Sequence, residues 1–209
     1  MSATNSATRT TMLVSPFTDL GVAVVEHAST PADLTYLDAV FPRLPPRAAG
    51  ARASDFSQAA QDWLGTHEGL LDLGRRLTGA SMRLSRLQAF NKSSSANWFV
   101  PWHQDRAEDG RDREIAILER TVALRIHLDD CCEDDGPLEV VPGSHRQGRL
   151  EAAAIAEQVA GTSPLMCLAA RGDIVAIRPL LLHRSQRAQK PTARRVIHIE
   201  YSPAVAFDD

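Results

Sequence analysis

The chain has 209 residues, with 23 Lys and Arg against 26 Asp and Glu, a net charge of −3 and a hydrophobic share of 44%. That length can bury a core in one domain without covalent staples, and the composition is that of an ordinary globular protein. The mildly negative balance argues against nucleic acid or an anionic membrane as a partner. Three cysteines, two of them adjacent at Cys131 and Cys132, offer neither a disulfide framework nor zinc-ligand spacing, and they suit a reducing cytoplasm. No apolar run nears the roughly 18 residues of a membrane span, and no basic-then-apolar leader opens the chain.

In chain order, residues 1–11 are rich in Ser, Thr and Ala and are expected to form a disordered tail, with 12–209 as one domain. Residues 20–25 read as a short buried strand. Thr30-Pro31-Ala32-Asp33 carries a helix start: a capping hydroxyl, Pro at the first helical position and an acidic first turn. That helix should stop near Phe41, since Pro42, Pro45 and Pro46 cannot continue it. Ser54-Asp55 opens a second helical stretch, with Phe56, Ala59, Ala60, Trp63 and Leu64 at helical spacing. A third, amphipathic piece runs from His67 to Leu77 and ends at Gly79.

The texture changes after about residue 80. Short apolar runs at 84–90, 98–102, 122–128, 138–141, 174–177 and 196–201 are separated by Gly and Pro, which predicts an antiparallel β sandwich or barrel. A helix at about 152–160 interrupts it, and 106–120 is a short charged stretch. The expectation is a helical N-terminal part packed on a mainly β core at about 84–201.

The chemistry concentrates at Trp102-His103-Gln104-Asp105. In a strand, residues i and i+2 share a face, so His103 and Asp105 can close on one metal ion. His183 would add a second imidazole and complete the two-His, one-carboxylate set that holds non-haem Fe(II) and leaves positions open. The pair by itself means little among seven histidines, where such a His or Asp is more often a surface group. Its surroundings give it weight.

Those surroundings are residues 97–105 (NWFVPWHQD), Leu128-Asp129-Asp130, residues 136–146 (GPLEVVPGSHR), Gly172-Asp173, His183-Arg184-Ser185 and Arg194-Arg195. Together they resemble the phytanoyl-CoA dioxygenase family over about 84–201. The resemblance implies a double-stranded β-helix, a cupin-like jelly roll. It also implies Fe(II) on His103, Asp105 and His183, with 2-oxoglutarate as cosubstrate. The expected reaction is hydroxylation of a small molecule with release of succinate and CO2.

In such a protein the distal carboxylate of the cosubstrate needs a planar cationic partner, and family spacing points to Arg194. Alternation agrees: Arg194 shares a face with His198 and Glu200, whereas Arg195 shares one with Ile197, Ile199 and Tyr201. Lys92 stands where the family commonly carries Lys and would assist; Asn97, Ser185 and Arg125 are further candidate pocket residues. Gln104 points away from the ligands and is expected to be structural. Trp98 and Trp102 stand between site wall and core. His145 belongs to a structural corner, and His27, His67, His127 and His198 are expected to pack or face solvent.

Arg184 departs from the family, which often has a small residue there. With Arg125 and Arg187 it suggests an anionic small-molecule substrate. Two other readings use the same residues: a non-catalytic jelly-roll protein that binds a small molecule, and a cupin-like metal-dependent isomerase or hydrolase. Four intact site residues disfavour the first, and Arg194 disfavours the second, which needs no carboxylate clamp. Asp105 disfavours a halogenase, in which halide takes the place of the carboxylate.

Overall fold

In the computed structural model, residues 17–43, 50–105, 113–190 and 193–204 are described, and the expected tail at 1–11 lies outside them. The strands are β1 (Val22–Val25), β2 (Gly50–Arg52), β3 (Met82–Lys92), β4 (Val100–His103), β5 (Val122–His127), β6 (Leu138–Val140), β7 (Leu165–Cys167), β8 (Ile174–Ile177), β9 (His183–Ser185) and β10 (Arg194–Pro203). They form a six-stranded sheet in the order β1-β8-β5-β10-β3-β2 and a four-stranded sheet in the order β4-β9-β6-β7. All pairings are antiparallel. Two facing sheets with crossovers between them make the jelly roll that the family resemblance implies, one form of the sandwich or barrel that the short runs predict.

The helices are α1 (Pro31–Val40), α2 (Gln58–Thr66), α3 (Glu68–Thr78), α4 (Arg113–Arg120) and α5 (Ala152–Ala160). At the start of α1, the Thr30 hydroxyl accepts from the Asp33 N–H (3.1 Å) and the Asp33 carboxylate accepts from the Thr30 N–H (2.8 Å), so two end groups are satisfied reciprocally. The second stretch begins later than Ser54-Asp55 suggests. Asp55 spends its carboxylate on the Arg52 N–H (2.7 Å) in a single 3-10 turn, and Ser57 caps α2 instead. Helix α3 ends at Gly79, whose φ of +73° lets its N–H return to the Arg75 carbonyl (2.7 Å).

One apolar cluster lies between the helices and the outer face of the large sheet. Leu37, Leu64, Leu70, Leu73 and Leu77 meet Leu124, Ile126, Ile197, Ile199 and Tyr201 there. The Tyr201 hydroxyl donates to the Leu64 carbonyl (2.5 Å), tying the last strand to α2. A second cluster fills the space between the sheets, with Ala123, Val175 and Ile177 against Leu138 and Val140. The alternating residues of β10 thus serve both layers: odd positions from Ile197 to Tyr201 face the helices, and even positions face the interior.

Candidate functional site

The interior of the roll opens into a cavity of about 190 Å³ whose wall includes His103, Asp105, His183, Ser185, Arg125 and Arg194. Strands β4 and β9 are neighbours, and His103 lies directly opposite His183 in their register. The two imidazole centroids are 4.1 Å apart. Strand β4 ends at His103, so Asp105 is not on it; the chain beyond is fixed instead by the Asp105 N–H bonding the Pro179 carbonyl (2.9 Å). That bond brings the carboxylate back onto the same side, with Asp105 Oδ1 3.7 Å from Nε2 of both histidines.

The protonation pattern follows from the acceptors. His103 Nδ1 faces the Pro101 carbonyl (2.9 Å) and His183 Nδ1 faces the Leu181 carbonyl (2.8 Å). A carbonyl only accepts, so each ring carries its proton on Nδ1 and turns an Nε2 lone pair inward. Burial pulls His183 down to about 4 against the opposing pull of Asp105, so it is neutral at ordinary pH. Burial would raise the Asp105 carboxyl, but the electrostatic pull of the groups around it, the Arg86 guanidinium among them, brings it below the usual range. Asp105 Oδ2 is buried and bonds nothing among the described residues. Two free imidazole nitrogens and an unsatisfied carboxylate, with ligand atoms within 4.8 Å of one another, fit a divalent transition metal of Fe(II) type. A second group, Asp105, His198 and Glu200, is equally close, but Arg86 and Arg125 already engage it and make it a poor cation site.

Gln104 turns away from the ligands. Its amide donates to the carbonyls of Gly148 and Leu180 (both 2.7 Å) and accepts from the Leu150 N–H (2.8 Å). It clamps the segment between the two ligands to the loops carrying Gly148 and Leu180. Gln104→Leu should therefore cost about 3 kcal/mol, since three backbone groups, one buried and two part-buried, lose their partners. It should weaken metal uptake as well; a thermal midpoint within one degree of the parent would refute the clamp.

Arg194 opens β10, is almost fully buried and pairs in register with Lys92. Its hydrogen bonds leave from Nη1, to the Gly136 carbonyl and to Cys131 Sγ, while Nε has no partner among the described residues. The Nε–Nη2 edge is therefore unbonded among the described residues, and this is an edge that a carboxylate can take with two parallel bonds. Gly136 holds the hub: its carbonyl also accepts from Ser185 Oγ (3.0 Å) and Lys92 Nζ (3.3 Å). Its φ is +63° and an added Cβ would stand 2.4 Å from the Gln186 carbonyl, so only glycine fits. Arg195, one residue on, points the other way. It grips Asp129 through Nε (2.9 Å) and Nη2 (2.7 Å) and reaches Asp38 of α1 (2.9 Å).

Four expectations need correcting. Asn97 does not line the cavity; its amide pins Ala188 by exchanging two 2.8 Å bonds with that residue's backbone. Lys92 is fully buried behind the wall, donating to Ser185 Oγ (2.7 Å) and to the Gly136 and Gln186 carbonyls, with burial and Arg194 pulling it down to about 7. Arg184 brings little free charge: it pairs with Glu139 (2.8 Å), its opposite number on β6, and lies over Trp102, while Arg187 is exposed and outside the cavity. His198, expected to pack or face solvent, lines the cavity, as its face-sharing with Arg194 could have shown. Trp98 lines the cavity as well.

Solved structures share this architecture, and a curated protein shares part of the sequence. The chain is 29% identical to an L-proline trans-4-hydroxylase of Streptomyces griseoviridis over 163 residues, 64% of this chain and 59% of that protein, so it spans under two thirds of that relative. Its fold matches the crystal structure of AviO1 from Streptomyces viridochromogenes Tue57 with a TM-score of 0.74 at 23% identity, covering 93% of this chain and 95% of that one. It also matches EctD from S. alaskensis, solved with 2-oxoglutarate and 5-hydroxyectoine, with a TM-score of 0.75 at 18% identity, covering 98% and 79%. The family model for phytanoyl-CoA dioxygenase aligns with residues 46–196, well over half of the sequence. The chain belongs to the phytanoyl-CoA dioxygenase family.

Proposed function

We propose that this protein is an Fe(II)- and 2-oxoglutarate-dependent dioxygenase that hydroxylates a small molecule. The observation that carries the reading is the convergence of three unsatisfied ligand atoms beside an arginine with an open edge. His103, Asp105 and His183 would hold the metal, and Arg194 would hold the distal carboxylate of the cosubstrate. Fe(II) with 2-oxoglutarate supplies, when bound, an oxidant for a C–H bond, the cosubstrate leaving as succinate and CO2. The chain's part is to orient and to exclude water. The carbonyls of Pro101 and Leu181 fix both imidazoles, and Phe90, Val100 and Leu138 give the cavity an apolar wall. Hydroxylation as the outcome is supported by the activity named for the Streptomyces griseoviridis relative.

Residues 12–209 are read as a single oxygenase domain. Among the described residues no helix is long and apolar enough to cross a membrane. Free thiols at Cys131, Cys132 and Cys167 support a cytoplasmic setting. The substrate is read as polar and anionic, now on Arg125 rather than on Arg184 or Arg187. The isomerase or hydrolase reading leaves the open edge of Arg194 without a use.

The test is succinate release from 2-oxoglutarate by the purified protein with Fe(II) and oxygen, alone and against a panel of metabolites. Succinate should appear only with Fe(II) present and should rise several-fold with the true substrate. No succinate under any condition, from protein that takes up iron, would overturn the reading.

A further inference from the structure

The cavity holds a second arginine that makes no carboxylate ion pair among the described residues. Arg125, in the middle of β5, is buried and projects into the space between the sheets, its guanidinium carbon 5.4 Å from the Phe90 ring centre. It makes no ion pair among the described residues. Its one hydrogen bond runs from Nη1 to His198 Nδ1 (3.2 Å).

That partner is neutral, and the reason is local. A guanidinium only donates, so His198 Nδ1 accepts and the ring proton sits on Nε2, facing Glu200 Oε1 (3.3 Å). Glu200 in turn pairs with Arg86 (3.1 Å). The chain Arg86–Glu200–His198–Arg125 crosses three adjacent strands, since Glu200 is registered with Arg86 on β3 and His198 with Arg125 on β5. Glu200 is thus answered by Arg86, and the Arg125 guanidinium is left with a neutral hydrogen-bond partner and no ion pair among the described residues. Burial lowers Arg125 to about 10, with Arg194 adding repulsion, so it remains charged at neutral pH. A buried charge held by a neutral histidine is costly unless an anion from outside completes it.

We propose that Arg125 is a second carboxylate-binding residue of this cavity, separate from Arg194, with His198 as the neutral prop that aims it. The inference rests on the oxygenase reading only for the identity of the ligand. Two sources would supply the same group: the metal-proximal carboxylate of 2-oxoglutarate, or a carboxylate on the substrate to be hydroxylated. Arg125 lines the same cavity as the candidate metal ligands and the candidate clamp Arg194, and so is placed for either.

The experiment measures equilibrium binding to the full chain loaded with Fe(II) under anaerobic conditions, without turnover. The probes are 2-oxoglutarate, and then, with 2-oxoglutarate bound, a panel of three- to six-carbon hydroxy and amino acids read by thermal shift. Four proteins are compared: the parent, Arg125→Gln, His198→Asp and His198→Asn. His198→Asp places a carboxylate against Arg125 and quenches it, whereas His198→Asn keeps a neutral acceptor. If the cosubstrate is the source, 2-oxoglutarate affinity falls at least tenfold in Arg125→Gln and in His198→Asp, and by less than threefold in His198→Asn. If the substrate is the source, 2-oxoglutarate affinity stays within twofold, and the stabilisation by an acidic panel member disappears in the first two variants only. Unchanged binding of both probes in Arg125→Gln would overturn the proposal, as would equal losses in His198→Asp and His198→Asn. A parent that binds panel acids through Arg125 but no 2-oxoglutarate would overturn the oxygenase reading and leave this one standing.

Discussion

Asp105→Ala should abolish 2-oxoglutarate turnover and strip the protein of bound iron, while the fold survives. The carboxylate is the one anionic member of the proposed ligand set, so its loss removes the charge that would hold a dication between the two imidazoles. Little else depends on it. Its Oδ2 bonds nothing among the described residues, and the main-chain bond from residue 105 to Pro179 persists in alanine. Removing a desolvated carboxylate should leave the stability of the metal-free protein within about 1 kcal/mol of the parent, or raise it. Iron content after anaerobic loading and desalting, with succinate release and a thermal melt, checks all three. An Asp105→Ala protein with the parent's iron content and activity would remove the proposed centre.

Two adjacent arginines should separate just as cleanly. Arg194→Ala should weaken 2-oxoglutarate binding by about 2–5 kcal/mol, the cost of breaking a buried charge pair, which is roughly thirtyfold to several thousandfold. Arg195→Ala should leave that affinity within about twofold, because its guanidinium is committed to Asp129 and Asp38 on the helix side of the sheet. Its loss should appear as stability instead, about 1 kcal/mol, since the pairs are partly exposed and screened. Isothermal titration and thermal melts on both variants give the ranking. The reverse ranking would mean that β10 turns its other face to the cavity.

The facing behind that ranking is legible in the sequence because β10 alternates so regularly. Ile197, Ile199 and Tyr201 could not all face a solvated cavity, and their parity puts Arg195 outside with them. The strands at 122–127 and 174–177 were equally plain, being continuous β-branched and apolar runs. Three strands escaped. Gly50–Arg52, Leu165–Cys167 and His183–Ser185 have three residues each, too few for a period to show, and they are held by pairing with partners far along the chain. Helix α4 escaped because it is only eight residues long, half of them charged and within a charged stretch, too short for its period to stand out. Asp105 was placed correctly beside His103 for an incomplete reason: strand parity gave the side, but the strand ends at His103 and Pro179 supplies the restraint. Asn97 was misplaced because sequence shows that an amide is near a site but not whether its two hydrogen-bonding groups are already taken by a backbone.

Helix α5 buries none of its residues, and it lies between the part of the chain that carries His103 and Asp105 and the part that carries His183 and Arg194. A cut there would divide the chain into two pieces, neither able to hold the metal or clamp a dicarboxylate. The four-stranded sheet would have to be rebuilt between them, β6 on one piece pairing with β7 and β9 on the other. Iron capture would then report reassembly directly. Fusing the pieces to two interacting partners would turn the protein into a sensor of their meeting.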